Sequence, residues 1–313
     1  DGWDDVIVGA PKYSNTVYLE GVAYLFLSGS SGLDSEYSWL FGSEQQGARL
    51  GDAIATGDVN GDGYADVVIS APAYNTEKPA GTKAGRVYVF YGSSSGLSTT
   101  PDGILNGEQA DAEFGSSVAS AGDINGDGYT DIVIGSQGYS NDAGSVGKVA
   151  LFLGSEGGLE TAAAWAVEGN QSGARFGAAV GCAGAGDGCV KIIVGAPFYS
   201  EGEATSSGAA FVYDVCDEEL SWEATESQML SAGQAWAQFG TAVAGAGDVN
   251  GDGYADLIVG APFYDSAYAT DCGRAFVYYG AAQGPKRTYD WYAQTLHYND
   301  QFGLSVGSAG DVN

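Results

Sequence analysis

Five times the chain returns to one short phrase: Leu50-Gly51, Phe114-Gly115, Phe176-Gly177, Phe239-Gly240 and Phe302-Gly303, at intervals of 64, 62, 63 and 63 residues. Two other markers keep the same step. Gly-Ala-Pro or a near variant stands at Gly9-Ala10-Pro11, Ser70-Ala71-Pro72, Gly135-Ser136-Gln137, Gly195-Ala196-Pro197 and Gly260-Ala261-Pro262. A Gly that opens an alternating apolar and aromatic run stands at Gly21, Gly85, Gly147, Gly208 and Gly273. A repeated unit of this kind cannot bury its apolar surface alone, so the fold must be an array of neighbours stacked on one another.

Within each unit the pattern predicts four short strands and no helix. The first holds small residues after the Phe-Gly (Phe114 to Ala121), and the second is a continuous apolar run (Asp131 to Gly135) of the kind expected for a strand buried on both faces. The third alternates (Lys148 to Leu153), and the fourth carries Trp39, Trp165, Trp222 or Trp291, with no Trp in the unit ending near Ile104. The expected fold is all-β, a propeller of four-stranded antiparallel blades, with five blades in the chain or part of a seven-bladed ring. A linear solenoid is the rival, but its coils are usually shorter than these units. The blades are expected at 1–49 plus 302–313, 50–113, 114–175, 176–238 and 239–301, in one domain. In this reading residues 302–309 supply the innermost strand of the blade begun by residues 5–10, which closes the ring and removes exposed sheet edges.

Between the first and second strands lies a loop chemistry of its own. Asp58, Asn60, Asp62 and Asp66 place side-chain oxygens at the first, third, fifth and ninth positions, with Gly63 at the sixth. Glycine there lets a short loop wrap around one ion, and an oxygen-only donor set favours calcium over zinc or copper. The phrase returns as Asp123, Asn125, Asp127, Asp131 and as Asp248, Asn250, Asp252, Asp256. The seventh position is expected to add a backbone carbonyl, from Tyr64, Tyr129 or Tyr254. A fourth copy is split across the ends, with Asp311 and Asn313 at one and Asp1, Trp3 and Asp5 at the other. A second copy of the chain could complete that loop, which would make the protein an assembly subunit. Solvated acidic turns are the plainer alternative.

The fourth unit breaks the phrase. It is two residues shorter between its markers, and Lys191 falls where the other copies place their last Asp. No metal is expected in its 182–191 loop, where a cation beside Asp187 would stand in for calcium. Cys182 and Cys189 bracket this loop and suggest a local disulfide, hence an oxidising compartment; two buried thiols are the alternative. Cys216 and Cys272 have no evident partner in the sequence.

Forty acidic against eleven basic residues give a formal charge of −29, which repels nucleic acid and anionic membrane surfaces. No apolar run approaches the roughly 20 residues that span a bilayer. The chain starts without Met or a signal peptide and reads as a mature or excerpted segment. The only His is His297, so neither a multi-His zinc site nor an ordinary Ser-His-Asp constellation is expected. Gly92-Ser93-Ser94-Ser95-Gly96 fits the hydrolase G-x-S-x-G pattern but occupies a turn shared by other units. Asn170-Gln171-Ser172 is a glycosylation sequon if the protein is secreted by a eukaryote. No enzyme activity is expected.

These markers and the acidic phrase resemble the Phe-Gly/Gly-Ala-Pro (FG-GAP) repeat propellers, which include the integrin alpha-chain head, and the resemblance covers essentially the whole chain. It implies calcium loops on one face and partner-binding loops on the other, and a place outside the cell or on its surface. The chain departs from those propellers in showing five units, without an inserted ion-dependent adhesion domain. The expected function is an adhesion or scaffolding module binding a protein or glycan; a lectin and an extracellular assembly subunit are the alternatives. Tyr13, Tyr74, Tyr139, Tyr199 and Tyr264 recur on the binding side and suit either packing or ligand contact. The irregular Trp236, Tyr298, Arg49 and Arg175 are the candidates for a specific partner.

Overall fold

A computed structural model describes residues 2–77, 80–184, 190–215, 225–281 and 284–310. Among the described residues five antiparallel sheets of three or four strands follow one another along the chain, with three two-stranded ribbons in the connecting loops. The first has three strands, Val6–Ala10, Val22–Phe26 and Trp39–Gly42. The other four each have four, in simple sequential order. The third blade serves as the type: Phe114–Gly122, Asp131–Ser136, Lys148–Phe152 and Trp165–Glu168. The described residues contain no helix long and apolar enough to cross a membrane.

The sheets are arranged about a common axis. Residues of the four innermost strands, among them Ala55, Ala119, Gly181 and Ala244, line a single central cavity of about 520 Å³ together with Ile7. Small side chains are what such crowded strands require. The second strands of the second and third blades, Asp66–Ala71 and Asp131–Ser136, are buried along their whole length because a neighbouring blade covers each face. A linear stack would not bring every innermost strand to one cavity.

The repeated glycines are contact points between units. The Phe or Leu of each Phe-Gly phrase forms a parallel bridge with the Gly that opens the preceding unit's third strand: Gly21 with Leu50, Gly85 with Phe114, Gly147 with Phe176, Gly208 with Phe239 and Gly273 with Phe302. The following glycine then lies against the preceding Gly-Ala-Pro. A Cβ on Gly195 would stand 2.0 Å from the Gly240 carbonyl oxygen, and one on Gly260 would stand 1.9 Å from that of Gly303. Backbone therefore packs directly on backbone, and any side chain at these points separates the blades.

Residues 302–309 were expected to pair with the 5–10 segment. Among the described residues no ladder joins them: Phe302 bridges Gly273, and the Ser308 hydroxyl donates to the Ala246 carbonyl in the fifth sheet. The segment follows the fifth blade as the other inner strands follow their predecessors. Val6 and Val8, on the free face of the first blade, are 41% and 44% exposed.

The first blade also contains a buried carboxylate. Glu20 is fully buried and accepts hydrogen bonds from the amides of Asn15, Thr16, Val17 and Glu44 and from the Thr16 hydroxyl. Burial alone would raise its pKa, but these donors outweigh it and hold the carboxyl below its ordinary value. Its stabilisation is present above the unfolded pKa and is lost as pH falls through the lower folded one. Glu20→Gln is expected to lower unfolding free energy by about 1–3 kcal/mol at pH 7. Urea unfolding should show the deficit shrinking below pH 4.5, the ordinary value for this group. A deficit independent of pH would contradict this role for the charge.

Candidate metal loops and the opposite rim

The three acidic phrases fold into near-identical turns. Asp58 Oδ1 accepts from the amides of Gly61 at 2.7 Å and Asp62 at 3.1 Å, and Oδ2 accepts from Gly63 at 2.9 Å. The Asn60 side-chain oxygen accepts from the Asp62 amide, and its Nδ2 donates to Asp62 Oδ2, both at 3.1 Å. Asp62 Oδ1 accepts from the Tyr64 amide at 2.9 Å. Asp248, Asn250 and Asp252 repeat this arrangement in full, and Asp123, Asn125 and Asp127 repeat the bonds to the Asp127, Gly128 and Tyr129 amides and between the Asn125 and Asp127 side chains. The sixth-position glycines have φ of 86°, 93° and 91°, the left-handed backbone that tightens the turn. Amides Gly253 and Gly251 outweigh the modest effect of burial and hold the Asp248 carboxyl below the usual carboxylate range.

The ninth Asp has a second task that the sequence does not reveal. Asp66 is fully buried; Oδ2 accepts from the Val59 amide and Oδ1 from the Gly92 amide, each at 2.8 Å. It thereby ties the loop to the exit of the third strand. Asp131 does the same with Ile124 and Gly154, and Asp256 with Val249 and Gly280. Asp5 accepts from the Ser28 amide at the matching place in the first blade. Burial pushes the carboxyls of Asp66 and Asp131 up to about 6, against the pull of these amides and with the help of neighbouring acids.

Among the described residues no group of three or more His, Cys, Asp or Glu is gathered about one point. In each loop the acids at the first and fifth positions accept from amides of the turn itself, while the ninth is held by backbone amides from the loop and from the exit of the third strand. The donor set still fits a hard divalent cation. It supplies oxygens only, from residues within one short loop, and offers carboxylate lone pairs beyond those the amides use.

In the fourth blade Lys191 sits opposite Ala183, the register place of the ninth Asp. Its buried ammonium lies 2.8 Å from Asp214 on the third strand. A cation does stand where the carboxylate is lost, but the described partner is Asp214; Asp187, the expected one, lies outside the described residues. Cys189 and Cys216 also lie outside them, while Cys182 and Cys272 are free thiols. Of the split loop, Asp1, Asp311 and Asn313 lie outside the described residues, and Trp3 is exposed.

An antiparallel meander puts the loops before the first strands and after the second ones at the end opposite the acidic turns. There a repeated glutamine joins neighbours, a feature the sequence reading missed. Gln45, Gln109, Gln171 and Gln234 each stand five residues before the Phe-Gly phrase, and each donates to and accepts from one backbone residue of the next unit: Asn75, Ser140, Ser200 and Asp265 respectively. The fifth copy of this position is His297, 3.5 Å from Asp300. The strict spacing was visible, but a polar residue in a loop does not stand out against an apolar pattern.

Of the partner candidates, Arg49 is engaged by Asp52 at 2.7 Å, and Arg175 stacks 4.7 Å above the Phe198 ring. Tyr74, Tyr199 and Tyr264 pack edge-on against Tyr88, Phe211 and Phe276, which favours the packing reading of the recurrent tyrosines. Trp236 and Tyr298 are 62% and 66% exposed. Trp236 has φ of 66° and donates its amide to the Thr205 carbonyl. The same turn position holds Gly47, Asp111, Gly173 and Asn299 in the other units, residues that tolerate this backbone far better than an indole-bearing one.

Residues 50–90, 114–152 and 239–278 match the FG-GAP repeat family. Integrin alpha-5 of Xenopus laevis is 32% identical over 163 residues, 51% of this chain and 15% of that protein. Integrin alpha-3 of Cricetulus griseus is 37% identical over 155 residues, 49% of this chain and 14% of that protein. The phosphatidylinositol-glycan-specific phospholipase D of Homo sapiens is 30% identical over 291 residues, 85% of this chain and 34% of that protein. The chain thus spans about a third or less of the length of these relatives.

Proposed function

The chain is an FG-GAP repeat β-propeller similar in sequence to integrin alpha chains, and from that premise we propose a calcium-stabilised adhesion or scaffolding module working at the cell surface or outside the cell. Calcium would be held by Asp58, Asn60 and Asp62, by Asp123, Asn125 and Asp127, and by Asp248, Asn250 and Asp252. The carbonyls of Tyr64, Tyr129 and Tyr254 and the carboxylates of Asp66, Asp131 and Asp256 would complete the three sets. The ion supplies a fixed positive charge that neutralises each acidic turn and stiffens that rim. Partner binding falls to the opposite rim.

The observation that carries this division is Trp236. It is a large apolar side chain, 62% exposed, on a backbone conformation that its counterparts meet with Gly, Asp or Asn. Backbone strain borne by an exposed aromatic has no packing return, and such residues cluster at binding sites. In a cell-attachment assay on the immobilised chain, Trp236→Gly with Tyr298→Ala should cut attachment at least tenfold while leaving the melting temperature within a few degrees. Unchanged attachment would overturn the assignment of this rim. Loss of attachment with free glycans would favour the lectin reading, and calcium-dependent oligomers the assembly reading. Similarity to a named phospholipase raises the question of catalysis; release of a glycan-anchored protein by this chain would refute the non-enzymatic reading.

A further inference from the structure

We propose that the interface between the second and third blades is a binding site for a small planar aromatic molecule carrying an anionic group. The interface differs from its counterparts in two places at once. Trp39, Trp165 and Trp291 sit opposite Leu25, Leu151 and Val277 of their own third strands; the residue in that register in the fourth blade, opposite Val212, is Gln228, and in the second blade, opposite Val89, it is Gly103, which has no side chain at all. Between the first and second blades Trp39 is a buried wedge. Its ring lies 5.0 Å from Phe90 of the next blade, and Nε1 donates to the Ser98 carbonyl at 2.8 Å. Across the second interface, the third residue after the opening glycine is Ala150, where the other blades have Tyr24, Tyr88, Phe211 and Phe276.

Two rings are therefore missing from one interface, and a cavity of about 360 Å³ remains there. Leu105, Phe114, Ala150 and Phe152 form apolar walls, and residues 161–163 close the side where the second blade offers Ser98 to Trp39. The void is not forced by the backbone. Gly103 has no left-handed φ, and a Cβ on it would meet only the Val89 side chain, at 3.3 and 3.5 Å. The size is at the low end of the roughly 300–1,000 Å³ of small-molecule sites, and an apolar space vacated by an aromatic side chain readily takes an aromatic molecule.

Charge selects the substituent. Lys148 lines the same cavity with its ammonium 4.9 Å from the Tyr139 ring centre and 3.3 Å from Glu108. The Glu108 side chain is 79% exposed, so that ion pair is weak and a ligand carboxylate can replace it.

The test uses indole and indole-3-propionate as probes in titration calorimetry on the whole chain. Indole-3-propionate should bind with a dissociation constant of about 1 mM or tighter. Lys148→Met should reduce its affinity to that of indole and leave indole unchanged. Ala150→Phe, which refills the space from its lining, and Gly103→Trp, which restores an indole next to the lining residue Ile104, should each weaken both probes at least tenfold while the circular dichroism spectrum is retained. If either variant fails to fold, the other carries the comparison, and crystals soaked with indole-3-propionate locate the ring directly. No binding at 10-fold the expected constant, undiminished binding in the refilled variants, or a ring placed elsewhere would overturn the proposal.

Discussion

Gly208→Ala is expected to abolish stable folding, lowering unfolding free energy by more than about 4 kcal/mol, the range reserved for severe core damage. Gly208 has φ of 77°, and a Cβ on it would stand 2.1 Å from the Phe239 carbonyl oxygen and 2.3 Å from the Phe239 amide nitrogen. Neither atom belongs to a side chain that can turn away. Relief therefore requires the fifth blade to move off the fourth, which opens the apolar cluster joining Ala210, Val212 and Leu230 of the fourth blade to Phe239, Val259 and Phe276 of the fifth. The control is Gly202→Ala, where φ is 60° but nothing lies within 4 Å of the added carbon. It bears only the left-handed backbone cost, about 1–2 kcal/mol. Chemical unfolding of both variants separates the two terms; equal losses would mean that the close approach between blades is not what the glycine preserves.

Calcium is expected to produce the second large effect. Each of the three intact loops concentrates carboxylates on one turn of a chain whose formal charge is −29, and two of the buried ninth acids have pKa values pushed up to about 6. Without a cation, ionising these groups costs more than it does for an ordinary carboxyl. Extracellular calcium modules bind at about 10⁻⁴–10⁻³ M. A site binding at the tight end of that range contributes about 2.7 kcal/mol when calcium is 100-fold in excess. Three such sites acting on one cooperative unit would add roughly 8 kcal/mol, comparable with the entire stability of an ordinary domain.

Much of this architecture is legible in the chain because it rests on period and on local geometry. The step of the Phe-Gly phrase and the spacing within Asp58 to Asp66 both concern residues close in sequence or strictly repeated. What was hidden depends on long-range partners. The ninth Asp reads as a ligand, yet its oxygens also hold Gly92, 26 residues away. Arg49 and Arg175 look like free surface cations until Asp52 and the Phe198 ring are placed beside them. The missing Trp of the second blade was visible in the sequence, but only the opposing Ala150 turns that gap into a cavity. Closure through residues 302–309 rests on the phase of the repeats, which fixes the order of strands; among the described residues no ladder joins that segment to residues 5–10.

The most direct test of the account is thermal unfolding with calcium against a chelator, for the wild-type chain and for a variant carrying Asp62→Asn, Asp127→Asn and Asp252→Asn. These substitutions retain side-chain size and remove one carboxylate from each loop. Calcium should raise the wild-type midpoint by more than 10 °C, consistent with roughly 2–4 °C per kcal/mol for a domain somewhat smaller than this, and should move the variant far less. A wild-type midpoint indifferent to calcium, or a variant that responds equally, would contradict it.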